Sequence, residues 1–229
     1  MRSRLYFQGF GPRALLALAL AAFAAPCAAQ TVVAEVGRLV GTATAQLPGA
    51  ERRTLALGAP VYLLDRIETA PRAVLRLEFR DKTSLALGEQ ASMTITHYGA
   101  EPSEPSFLAE IARGTFRVVT GLIARTKPAA FRVTTPSSSI GIRGTHFAGE
   151  TDGARSVVIL LEPQRGEPGR AIEVSNPFGS VTIEQPGFGT EIPDAQSPPS
   201  PPRRMRLRSI ENLIRSTSTI QRAVPRAPR

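Results

Sequence analysis

Ala73-Val74-Leu75-Arg76-Leu77-Glu78-Phe79 is the stretch on which the fold turns. Ala73, Leu75, Leu77 and Phe79 fall on one side of an extended chain, and Val74, Arg76 and Glu78 on the other. This period of two is that of a strand with one buried face. Arg80-Asp81-Lys82-Thr83 then supplies turn residues, and Leu85 and Leu87 resume the alternation. The unit reads as strand, turn, strand.

Outward from it, short apolar runs recur between Val32 and Ile192: Val61 to Leu64, Ile67 to Thr69, Met93 to Thr96, Thr115 to Val119, Phe131 to Thr134, Val157 to Leu161, Ile172 to Val174 and Val181 to Ile183. Glycines such as Gly58, Gly88, Gly114, Gly121 and Gly179 stand at the breaks. Phe107 to Arg113 suits a brief helix as well as a strand. The pattern predicts an all-β domain over residues 30–192. Its abundance of Ala, Ser and Thr and its very short strands favour a β-solenoid of stacked rungs, with a β-sandwich as the alternative.

Two ends differ from this body. Arg2, Arg4 and Arg13 without an acid, the apolar run Ala14 to Ala25 and the small residues before Gln30 read as a signal peptide over residues 1–29. Removal of that segment would take away Cys27, the chain's one cysteine, and with it thiolate and disulfide chemistry. The expected location is the periplasm or cell envelope, or secretion beyond it. After Ile192, five prolines in ten residues predict an extended Pro-rich linker over 193–202. Residues 203–229 form a basic tail, amphipathic or disordered, in which Leu207, Ile210, Leu213, Ile214, Thr217 and Ile220 are spaced for a short helix.

The net charge of +9 is concentrated at those ends, since eight arginines from residue 203 onward face Glu211 alone. A basic tail on a near-neutral body points to an anionic surface, lipid or lipopolysaccharide, through Arg203, Arg204, Arg206, Arg208 and Arg215. Nucleic acid fits less well, because the tail lacks aromatic platforms for single strands.

Catalytic chemistry has little to work with. The only histidines are His97 and His146, and the carboxylates are scattered. No metal or cofactor site, nucleophile elbow or phosphate loop is spelled out. The most demanding window is instead Thr135-Pro136-Ser137-Ser138-Ser139-Ile140-Gly141-Ile142-Arg143-Gly144-Thr145. Pro136 pushes Thr135 towards extended geometry, and glycines flank an arginine. Thr135, Pro136, Gly141, Arg143, Gly144 and Thr145 read as a mainly structural signature turn. Asp65 and Asp81 read as structural carboxylates that form turns or pair with Arg143.

This window, with Gly37-Arg38-Leu39-Val40-Gly41, Asp65-Arg66-Ile67-Glu68-Thr69, Ala73 to Phe79, Asp81, Thr83, Leu85 to Gly88, Gly114-Thr115-Phe116-Arg117 and Gly121, resembles the FecR-type domain. Two departures stand out: Lys82 where that family usually has glycine, which predicts a different turn type, and His146 where aspartate is common. The resemblance implies a non-catalytic envelope module for sensing or for binding an envelope protein or receptor. Regulators of this type carry a sigma-factor-binding segment and a membrane span before the domain. A signal peptide in that place argues against direct sigma-factor control. The alternative is an envelope scaffold anchored by the arginine tail.

Overall fold

The computed structural model describes residues 30–100, 104–142, 146–162, 171–206 and 208–218, with the side chains of 216–218 excepted. The predicted signal peptide and Arg143, Gly144 and Thr145 lie outside the described residues.

Among the described residues, seventeen strands form one continuous, unclosed sheet, in which two layers share one strand. In the first layer β4 (Pro60–Tyr62), β1 (Val32–Val40), β6 (Val74–Phe79) and β7 (Ser84–Leu87) lie side by side. The C-terminal half of β9 (Ser106–Val119) follows, then β12 (His146–Thr151), β13 (Ser156–Leu160), β16 (Phe188–Ile192) and β17 (Arg203–Arg204). The second layer orders β3 (Arg53–Thr54), β2 (Ala43–Gln46), β5 (Arg66–Thr69) and β8 (Ser92–Gly99). It continues through the N-terminal half of β9 to β10 (Phe131–Thr135), β11 (Ser138–Ile142), β14 (Ile172–Asn176) and β15 (Gly179–Ile183).

The mostly-β expectation is met, and the segment over Phe107 to Arg113 is strand. Stacked rungs would pair in parallel, whereas every pairing between the described strands except β9 with β10 is antiparallel. The described ladders are thus those of a mixed, mostly antiparallel sheet folded over itself. The crossing point is β9, which pairs with β8 as far as Arg113 and with β12 from Gly114. Gly114 has φ +104°, and a Cβ there would lie 2.4 Å from that of Ala91. Only glycine meets both demands.

Between the layers lies one apolar core. Leu75, Leu77, Leu85, Leu87 and Phe116 enter it from the first layer, and Ile67, Met93, Ile95, Ile111 and Val133 from the second. Phe79 meets Phe107 edge-on across the layers at 5.0 Å, and Phe107 stacks on Phe131 at 4.3 Å. Each fully buried side chain of this size contributes about 1.5–3 kcal/mol.

The proline-rich segment is not the free spacer that its composition suggests. Serines between its prolines supply the bonds that proline cannot. Ser200 N–H donates to Glu191 O at 2.9 Å, and Ser200 O accepts from Thr190 Oγ1 at 2.6 Å. Ser197 O accepts from Asn176 Nδ2 at 2.7 Å. The strap leads to α2 (Arg208–Ser218), whose Ile210 packs with Ala148, Val157 and Ile159 on the outer side of the first layer. An eleven-residue helix is marginal alone. Burial of Ile210 and Leu213, each 3% exposed, holds it. Among the described residues no helix is long and apolar enough to cross a membrane.

Candidate functional site

Asp65 and Asp81 are both buried, at 0% and 3% exposure. Asp65 closes a turn in which Leu64 has φ +68°, and it accepts Tyr62 N–H at 2.7 Å. Its other partner is Arg53, whose guanidinium grips both carboxylate oxygens, one at 2.7 Å. That bond holds Arg53 above the usual arginine range, and the guanidinium also lies over the Tyr62 ring at 4.8 Å.

Among the described residues, Asp81 has no cation partner. Oδ1 accepts Thr83 N–H at 3.1 Å, while Oδ2 accepts the Thr83 hydroxyl at 2.7 Å and Ile123 N–H at 3.3 Å. Its own N–H donates to the Tyr98 hydroxyl at 2.9 Å, and Leu122 N–H donates to its carbonyl at 2.7 Å. The turn after β6 is thereby tied to Gly121 and the short helix α1 (Leu122–Thr126). A Cβ at Gly121 would lie 2.1 Å from Asp81 O, so the approach requires glycine. Burial pushes the Tyr98 hydroxyl up to about 12.

Thr135 and Ser138 close the hairpin between β10 and β11, with Pro136 and Ser137 at its tip. Beneath it lies a buried hydroxyl cluster. Thr135 Oγ1 is 2.9 Å from the hydroxyls of both Ser138 and Ser156, and Ser156 joins Ser137 at 2.7 Å and Thr151 at 3.1 Å. The cluster pins a second-layer hairpin to the turn between β12 and β13. Every described partner in it is a hydroxyl or backbone group, so no base stands ready to activate a nucleophile.

Gly141 instead faces outward. It pairs with Arg132 on one side and Glu173 on the other, and the nearest atom to an added Cβ is Glu173 O at 3.9 Å. The absent side chain leaves a notch between an exposed cation and an exposed anion, whose backbones are about 10 Å apart at the usual strand spacing. Phe131, Ile142, Pro128 and Ala129 complete a groove of about 550 Å³. Arg132 and Glu173 escape a reading by sequence, because only the register across three strands brings them beside Gly141.

The tail arginines stand on ordered elements. Arg203 donates to Glu191 at 2.7 Å, and Glu191 also accepts Arg155 Nε at 2.7 Å, which holds its carboxyl below the usual range. Arg204, Arg206 and Arg208 are exposed, and Arg215 donates to Asn212 at 2.6 Å. His97 is exposed and His146 buried in β12. Among the described residues no group of three His, Cys, Asp or Glu side chains could hold a metal ion.

Comparison with known proteins agrees with this architecture. Two crystal structures of a putative anti-sigma factor from Parabacteroides distasonis, at 1.65 and 2.50 Å resolution, share the fold. Identity is 14% with TM-score 0.50 in the first and 15% with TM-score 0.51 in the second. The matches cover 65% and 66% of this chain, and the chain spans 64% and 65% of the length of those structures. No curated protein matches. The FecR protein family matches residues 65–164, a span that holds Asp65, Asp81, Gly121 and the Thr135–Ile142 hairpin.

Proposed function

We propose that this chain is an exported, non-catalytic module of the cell envelope that senses a signal by binding a partner protein or receptor. The observation that carries the reading is the Gly141 notch. Apart from Pro136 at its tip, the described residues of the signature hairpin are otherwise turned inward or hydrogen-bonded into the scaffold. At Gly141 the same hairpin opens on solvent between Arg132 and Glu173, with Pro128 and Ala129 beside the notch. A groove flanked by two opposite charges fits a peptide segment of complementary charge order. Sensing is then differential binding: the partner is held in one state and released in another.

The test is capture of partners from envelope extract on immobilised protein, with Arg132→Glu and Glu173→Lys as variants. Each is expected to lose the captured species at unchanged thermal stability, since both side chains are exposed. Capture that survives both reversals would end the assignment to this groove.

A further inference from the structure

Met205 organises a charged face that the FecR domain does not account for. Its N–H donates to Gly187 O at 3.0 Å, and its side chain packs with Ala148, Val157 and Ile159. Arg204 and Arg206, on either side of it, are exposed, as is Arg208 at the start of α2. Unlike Arg203, these three have no acidic partner among the described residues. Helix stability does not explain Arg208, because the positive end of the helix dipole disfavours a cation there.

The apolar side of α2 is meanwhile already occupied, with Ile210 and Leu213 each 3% exposed. Among the described residues, none of the exposed large apolar side chains, Val40, Leu57, Leu64, Leu122 and Phe178, belongs to the strap or to α2. The described grooves are lined by none of the three arginines. A shaped acidic protein would call for a groove at these residues, whereas guanidinium groups fixed on an open face suit a laterally mobile layer of phosphates.

We propose that Arg204, Arg206 and Arg208 seat this face on an anionic phospholipid surface, held by charge and without insertion of α2. The contact is independent of the Gly141 notch and leaves the notch free for a partner.

The experiment uses residues 31–229, the compact unit that holds every described element, so that the N-terminal apolar run adds nothing to the readout. Co-sedimentation is measured with phosphatidylcholine vesicles with and without phosphatidylglycerol. Binding is expected only with phosphatidylglycerol, and raised salt is expected to abolish it. Replacing Arg204, Arg206 and Arg208 by Gln is expected to weaken it on the order of a hundredfold. The same change at Arg52, Arg66 and Arg80 is expected to weaken it far less. Equal loss in both triple variants would reduce the effect to net charge and overturn the proposal. Binding that survives high salt, or that occurs on phosphatidylcholine alone, would mean insertion and overturn it as well. Equal arginine-dependent affinity for a polyglutamate peptide would reassign the face to an acidic protein. Partner capture through the notch is read without vesicles, so failure of either proposal leaves the other measurable.

Discussion

Asp65 and Asp81 lie sixteen positions apart on the same domain, both at turns and both sealed from solvent. They are stabilised in opposite ways. Asp65 is neutralised by one long side chain, the guanidinium of Arg53, which itself remains 32% exposed. The Asp81 carboxylate is held by backbone N–H groups and hydroxyls delivered by three separate segments, at Thr83, Ile123 and Tyr98. A carboxylate held by a cation depends on that cation. One held by backbone dipoles depends on how closely the main chains approach. The two sites should therefore break under different kinds of substitution.

The largest effect is expected at a residue with no polar side chain at all. In Gly121→Ala the new methyl would meet Asp81 O at 2.1 Å and Thr83 N at 2.4 Å, both backbone atoms that cannot rotate away. Relief requires α1 to move off, which costs Asp81 the Ile123 and Leu122 bonds together. Denaturant unfolding should show a loss of about 4 kcal/mol, the range in which single substitutions become exceptional. A loss below about 1 kcal/mol would mean that Asp81 does not need this approach.

Arg53→Met tests the other site. It leaves the Asp65 charge buried with Tyr62 N–H as its remaining described partner. Severing a buried pair costs about 3–5 kcal/mol, and the partial exposure of Arg53 brings the expected loss down to about 2 kcal/mol. Adding Asp65→Asn should restore part of it, because the stranded charge is gone. If the double variant were less stable than the sum of the singles, the pair would not be the source of the effect.

The contrast also marks what could be read from sequence. The alternation from Ala73 to Phe79 and the turn at Asp81 are local, and they survive intact in β6 and β7. The partners of the carboxylates are not local. Arg53 stands twelve residues from Asp65, Tyr98 seventeen from Asp81 and Ile123 forty-two from it. The preference for stacked rungs is not confirmed for the same reason, since strand direction between neighbours is a property of pairing and short strands read alike in either arrangement. The strap was hidden because its prolines advertise extension while two serines do the docking. The helical spacing of Ile210 and Leu213 was legible, but what their apolar side rests on was not.

Tyr98 gives a smaller effect with a sign. Its hydroxyl is raised by burial to about 12 against an ordinary value of 10.0. Below pH 10 both folded and unfolded states keep the proton, so the contribution is fully present. As pH rises towards 12 the unfolded chain releases its proton first, and stability falls. Urea midpoints measured across this window should decline in the native protein. Tyr98→Phe, at a cost of about 1 kcal/mol for the Asp81 N–H bond at neutral pH, should flatten the decline. An unchanged slope would place the titration elsewhere.

The smallest effect concerns the residue where the chain departs from the FecR pattern. A lysine in place of glycine predicts a different turn, yet Lys82 takes φ +70°, the conformation that glycine adopts freely. The turn's neighbours fix it from both sides: Lys82 N–H donates to Phe79 O at 3.0 Å, and Phe79 N–H donates to Thr83 O at 2.9 Å. Once Asp81 and Thr83 are bound, the residue between them has no other route. The left-handed conformation costs a non-glycine residue about 1 kcal/mol, which the Asp81 network offsets. Lys82→Gly removes that strain but admits more freedom in the unfolded chain, worth about 0.4–1 kcal/mol in the other direction. A net gain of a few tenths of a kcal/mol is expected, with the Asp81 bonds unchanged. A loss above about 1 kcal/mol would mean that the lysine side chain itself supports the turn, and that the Asp81 site depends on a cation after all.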